Sequence, residues 1–160
     1  MRKILSSIVV LTMILSLCSC GNGKAAPSDS FVMERLKTIS TISDMAAVTE
    51  DHDPNGQLNK QGGYIGCIYF RDTRVNWDEL YLDEGEDNVI DVGTDGGGSI
   101  EIYKTAKEAK ERDEYLAQFD GGAFSSGSHQ VQDTMVIRTS SYLKASEQKE
   151  LTDQIIQALK

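Results

Sequence analysis

Basic residues are scarce in this sequence. Sixteen Lys+Arg stand against 25 Asp+Glu in 160 residues, a formal charge of −9. Such an acidic chain lacks the cations that nucleic-acid phosphates require, and it lacks the basic clusters that adhere to anionic lipid. There are 2 prolines against 14 glycines, which excludes a Pro-rich stalk. No period of 20 to 50 residues recurs, which excludes a solenoid. Of the 3 cysteines, Cys67 alone lies beyond the first 20 residues. One thiol forms no internal disulfide, so the fold must rest on its apolar core.

Long apolar runs are also absent, with one exception near the start. Met1-Arg2-Lys3 is positive, and Ile4 to Leu17 is uncharged and mostly aliphatic. Roughly 14 residues fall short of the about 20 that span a bilayer, and that length fits the core of a secretory signal. Leu17-Cys18-Ser19-Cys20 follows. It looks like a bacterial lipobox, with an aliphatic residue three positions before the modified cysteine and a small one directly before it. Cys20 fits as the lipidated residue. Cys18 does not, because bulky Leu17 precedes it. The sequence therefore predicts a signal peptide over residues 1–19 and a diacylglyceryl anchor on Cys20, with the chain held on the extracytoplasmic face of a cell membrane. Acyl chains anchor with about 0.8 kcal/mol per buried methylene. Gly21 stands where an inner-membrane retention Asp would be.

Residues 20–30 read as the lipidated cysteine and a flexible tether, and residues 31–160 as a single domain. Phe31, Met33, Leu36, Ile39, Ile42, Met45 and Ala46 recur at helical spacing. Tyr64 to Phe70 reads as a strand, Val89 to Val92 and Ser99 to Tyr103 as short strands, and Val131 to Thr139 as another. Thr105-x-x-Glu108 is a capping box opening a helix that Gly121-Gly122 stops, and Ala123 to Gln130 reads as a loop. Leu151, Ile155 and Leu159 mark a last helix from about Lys144. The expected fold class is α+β, a small, mainly antiparallel sheet packed on helices in a helix-on-sheet sandwich.

Asp53-Pro54-Asn55-Gly56-Gln57-Leu58 leads through Gly63-Tyr64 to Phe70-x-Asp72, and Val136-Ile137-Arg138 leads through Leu143 to a helix bearing Gln148. These segments resemble a group of bacterial surface lipoproteins, mostly of Gram-positive bacteria, with no assigned activity. That group carries a DPN-x-L segment before a Tyr-led strand; here Gly56 and Gln57 separate Asn55 from Leu58. Lys144 stands where the group has a Thr cap. The resemblance covers about residues 31 to 160. It implies a surface lipoprotein and its fold, and no chemistry.

Several residue clusters are candidate sites. Asp51, Asp53, Asn55 and Gln57, with Gly56, match the first half of a calcium loop, in which closely spaced oxygens suit hard Ca²⁺. Against that, Gly62 stands where a bidentate Glu is needed, Pro54 sits inside the loop, and a strand follows. Asp53-Pro54-Asn55-Gly56 suits a plain β-turn better, with favoured residues at its first, second and fourth positions. Cys67 and His129 are a conceivable nucleophile and base, although Cys67 lies mid-strand among apolar residues. His52 and His129 as a zinc pair lack any recurring ligand spacing. Gly93 to Gly98 matches no phosphate-binding motif and reads as a turn. Arg71-Asp72-Thr73-Arg74 is a local basic cluster suited to an anionic glycan or to ion pairs at a strand end. The acidic run Asp78 to Asp87 follows Trp77 and includes Leu80 and Tyr81, which together form a possible interaction surface. Asp91, Asp95 and Glu101 are distant acids that a hydrolase could assemble.

No nucleophile–base–acid set, strong metal cluster or nucleotide loop emerges. The expectation is a non-enzymatic envelope binding module without a cofactor, anchored in the membrane and facing a protein or glycan partner. The alternatives are a calcium-stabilised surface domain and, after it, an envelope hydrolase.

Overall fold

The computed structural model describes residues 25–82, 85, 88–122 and 127–160. Five strands form one antiparallel sheet: β1 (Ile42–Ala47), β2 (Gly66–Asp72), β3 (Gly97–Ile102), β4 (Ser128–Gln132) and β5 (Met135–Thr139), in the order β1-β2-β3-β5-β4. Four helices cover it: α1 (Asp29–Leu36), the single turn α2 (Val89–Val92), α3 (Ala106–Ala117) and α4 (Ala145–Ala158). The fold is α+β, with the sheet packed against helices, as the sequence predicts.

Side-chain alternation along the strands divides the sheet into two unlike faces. Ile68, Phe70, Ile100, Ile102 and Ile137 point to one side and pack with Val32 and Leu36 of α1 and Leu151 and Ile155 of α4. That face is mainly aliphatic and aromatic, with Asp72 and Thr139 buried at the ends of β2 and β5. Cys67, Tyr69 and Val136 point to the other side and pack with Tyr64, Tyr103, Val89 of α2 and Ala109 of α3. The second face carries the buried Ser99 and Glu101.

Local signals account for the helix ends. Ser28 Oγ accepts the Phe31 N–H at 3.2 Å and starts α1. The reciprocal Thr105–Glu108 capping box starts α3. At α4 only half of such a box exists: the Lys144 N–H donates to Glu147 at 2.9 Å, since an ammonium cannot accept in return.

The structure corrects five local expectations. The helix expected to run from Phe31 to Ala46 begins at Asp29 and stops at Leu36, and Ile42–Ala47 is the edge strand β1. The Thr38-Ile39-Ser40-Thr41-Ile42-Ser43 run of β-branched and hydroxyl residues disfavours helix, and pairing with β2 satisfies its backbone. Val89–Val92 is a helical turn because Asn88 Oδ1 caps the Ile90 and Asp91 N–H groups. The strand expected over Val131–Thr139 is a β4–β5 hairpin that turns at Asp133, with φ 54°. Part of the loop expected over Ala123–Gln130 belongs to β4, which starts at Ser128. Only Gly93–Gly96 of the glycine run is a turn; Gly97 and Gly98 lie within β3. A Cβ on Gly98 would fall 2.3 Å from the Arg138 carbonyl oxygen, so close strand approach demands glycine there.

Candidate functional site

Glu101 lies on β3 at the centre of the second face, 1% exposed. Arg112 of α3 donates to it in bidentate fashion, Nε at 2.8 Å and Nη2 at 3.0 Å. Arg138 of β5 donates from Nη1 at 3.1 Å, and the Tyr103 hydroxyl donates at 2.8 Å. Burial alone would raise the Glu101 carboxyl, but the Arg112 hydrogen bonds and the two guanidinium charges outweigh it and hold the group below its ordinary value. Arg112 is thereby fixed in place, with part of its fork still facing outward and its guanidinium carbon 5.5 Å from the Tyr115 ring centre.

The loop between β1 and β2 is fixed with equal care. The Asp53 carboxylate accepts from the Asn55 N–H at 3.1 Å, from the Leu58 N–H at 2.7 Å and from the Tyr64 hydroxyl. The Asp53 carbonyl accepts from the Gly56 N–H at 3.0 Å, closing a turn over Pro54 and Asn55. Asn55 Nδ2 donates to the Tyr69 hydroxyl at 2.8 Å. Burial raises the Asp53 carboxyl, but the hydrogen bonds, that of Tyr64 foremost, lower it further, so it stays ionised. Tyr64, 2% exposed, is pushed well up by burial and then by its bond to Asp53. The loop thus hangs on two tyrosines of the second face.

Between this loop and α3 lies a cleft of about 440 Å³. Asn55, Gln57, Gly62 and Gly63 form one wall, and Glu108, Glu111, Arg112 and Tyr115 form the other, with Tyr64 and Tyr103 between them. Its volume is that of a small-ligand site. The Arg112 charge is matched by Glu101. Glu108 Oε2 accepts from the Thr105 N–H and hydroxyl at 2.9 Å each. Glu111 meets only exposed Lys107, at 3.3 Å. The walls present amide groups, a tyrosine ring, two carboxylates and the paired Arg112.

Compared with protein-family models, with curated proteins and with solved structures, the chain matches none.

The other sequence candidates separate in space. Asp51 is exposed, while the carboxylate of Asp53 is turned into its own loop and Gln57 Nε2 donates to the Asn55 carbonyl at 3.3 Å. Among the described residues, no group of three or more His, Cys, Asp or Glu could hold a metal ion. Cys67 is fully buried, and burial, then the Glu101 charge, raises its thiol well above the ordinary value. His129 is held instead by Asp113, 2.6 Å from Nδ1, and Asp120, 3.3 Å from Nε2. His52 Nε2 lies 2.5 Å from Asp91, and Asn88 donates to the same carboxylate. Asp91, Asp95 and Glu101 have different surroundings: Asp91 meets His52, Asp95 is exposed, and Glu101 meets two arginines. Arg74 is spent on Asp72, at 2.9 Å and 2.8 Å, and on Glu150, while Arg71 stacks on Trp77 at 4.1 Å. Trp77 and Leu80 pack partly into the core and Tyr81 is 95% exposed. Four positions of the acidic run, 83, 84, 86 and 87, and the anchor candidate Cys20 lie outside the described residues.

Tyr103, Arg112 and Tyr115 were not singled out from sequence. The available signal was the i, i+3 spacing of Arg112 and Tyr115 beside Glu108 and Glu111, which gives α3 a polar stripe carrying one aromatic ring.

Proposed function

We propose that this chain is a membrane-anchored surface lipoprotein whose domain acts as a non-enzymatic binding module, using the cleft between the Asp53 loop and α3. The Leu17-Cys18-Ser19-Cys20 segment after an apolar run supports the anchor. No helix among the described residues is long and apolar enough to cross a membrane.

The single observation that carries the binding reading is the construction of the cleft. Both walls are preformed by hydrogen bonds made away from the opening: the Tyr64 hydroxyl donates to Asp53 on one side and Arg112 donates to Glu101 on the other. Preorganisation of this kind lowers the ordering cost of binding. What faces outward is planar and neutral or weakly acidic. Anionic ligands gain little here, because Arg112 is paired with Glu101 and the carboxylates of Glu108 and Glu111 stand on the same wall. An uncharged, hydroxyl-rich ligand fits best: its apolar C–H face lies on the Tyr115 ring, and its hydroxyls exchange hydrogen bonds with Asn55, Gln57, Glu111 and the outer edge of Arg112. A neutral envelope saccharide has this chemistry.

Two experiments test the reading. Metabolic labelling with palmitate is expected to mark the wild type and Cys18→Ala but not Cys20→Ala; label retained by Cys20→Ala overturns the anchor. Cosedimentation of the chain from Gly21 onward with purified neutral envelope polysaccharide is expected to fall about tenfold on Tyr115→Ala, the loss of roughly one aromatic contact. Equal sedimentation of both proteins removes the cleft from the account.

A further inference from the structure

On the α1/α4 side of the sheet, away from the cleft, a second hollow of about 290 Å³ opens beside Ala25, where the described chain begins. Pro27 and Phe31 line it from the start of α1, Met135 from β5, and Leu159 from the residue that caps α4. Met135 and Leu159 are 4% and 5% exposed, while Phe31 is 41% exposed at the rim. The lining is therefore an apolar floor continuous with the main core, left open to solvent.

Two features make it more than a dimple. Thr134 lines the hollow at 3% exposure, and its hydroxyl has no hydrogen-bond partner. A buried unsatisfied polar group costs about 1–3 kcal/mol, and folded proteins keep few of them. The second feature is the rim. Arg35 lies 5.1 Å over the Phe31 ring, and Lys160 borders the opening. Asp133 borders it too, so the mouth carries two cations and one carboxylate.

An apolar floor, one orphaned hydroxyl and two cations at the mouth match an amphiphile with an alkyl chain and an oxygen-bearing head. We propose that this hollow is an acyl-binding pocket. It takes the alkyl chain of a fatty acid or of a membrane lipid, with a carbonyl or carboxylate oxygen of the ligand accepting from Thr134 Oγ. The volume sits at the small end of ligand sites, which suits a medium-length chain or the end of a longer one. The five residue steps from Cys20 to Ala25 reach about 17 Å when extended. An anchor on Cys20 would hold the opening near the bilayer, but the pocket chemistry stands without that anchor.

The test uses the unlipidated chain from Gly21 onward, which keeps every element of the fold, so its outcome is independent of Cys20. Methyl-labelled methionines are followed by NMR during titration with decanoate and, separately, with phosphatidylglycerol vesicles. Saturable movement of the Met135 methyl, with the Met45 methyl still, is the expected result. Movement with decanoate identifies a free fatty acid as sufficient; movement with vesicles alone identifies a membrane lipid. Thr134→Val is expected to weaken decanoate about tenfold, one hydrogen bond's worth, while its melting temperature holds or rises because an unpaired hydroxyl is gone. Ala25→Trp, at an exposed position on the mouth, is expected to block entry. A Met135 methyl unmoved by both probes, or both variants binding like the wild type, overturns the proposal.

Discussion

Cys67 of β2 and Glu101 of β3 are cross-strand partners, so a fully buried thiol sits beside a carboxylate only 1% exposed. Antiparallel partners project from the same face, and here that face is closed over by α3 and the Asp53 loop. The pairing decides the chemistry of both groups. Glu101 stays charged because two arginines meet it. Cys67 stays protonated because burial and that same charge oppose a thiolate.

The first prediction follows directly. Thiolate is the reactive form of cysteine, so Cys67 should resist thiol reagents in the folded chain between pH 7 and 8. It should react fully once denaturant unfolds the protein. Timed labelling of the chain from Gly21 onward, which holds no other cysteine, reads this without ambiguity. Rapid native-state labelling would contradict the described environment.

Glu101 carries the second prediction. Removing one partner of a buried ion pair costs about 3–5 kcal/mol. Glu101→Gln should lose stability in that range, since Arg112 and Arg138 would lose the carboxylate that meets them both. The pH dependence has a definite sign. The Glu101 carboxyl is held low in the fold, so its stabilisation is complete above the pKa of an unfolded glutamate, about 4.3, and is lost as pH falls through the lower folded value. Asp72 adds in the same sense, because Arg74 outweighs its burial. Asp29, half-buried, is raised by burial and acts in the opposite sense. Chemical denaturation from pH 7 to pH 2 should show a fall below about pH 4 that is shallower in Glu101→Gln.

Asp53 carries the third. Asp53→Ala removes the acceptor for three donors and leaves the buried Tyr64 hydroxyl unpaired, at a cost of about 1–3 kcal/mol. Tyr64→Phe should cost less, because the donor leaves with its desolvation penalty. Calcium should leave the melting temperature of the wild type unchanged, since the Asp53 carboxylate is committed to its own loop. Bound ligand at 100 times its Kd would add about 2.7 kcal/mol, which thermal melting with calcium and then chelator would detect. A calcium-dependent rise abolished by Asp53→Ala would restore the calcium-loop reading.

Strictly local signals were legible in the sequence. The Thr105–Glu108 box and the Leu151, Ile155, Leu159 stripe each lie within a few residues, and both stand where they were expected. Ile39, Ile42 and Met45 were misread because a spacing of three suits a helix as well as a loop entering a strand. The deciding interaction is β1 pairing with β2, which no local window contains. Asn88 was a readable cap for α2, overshadowed by the β-branched Val89, Ile90 and Val92. The Asp53 turn was legible from Pro54 and Gly56. The cleft was not, because Asn55 and Arg112 meet only through the fold. Residue types showed that carboxylates and arginines exist, but the register of β2, β3 and β5 decides which of them meet.

The most direct test of the central claim is an NMR titration of the nitrogen-labelled chain from Gly21 onward with neutral oligosaccharides, an N-acetylglucosamine tetramer among them. The account predicts saturable shifts at the backbone amides of Asn55, Gln57, Gly62, Gly63 and Tyr115, lost in Tyr115→Ala. Shifts confined to Tyr81 and its neighbours, or no shifts at millimolar saccharide, would contradict it.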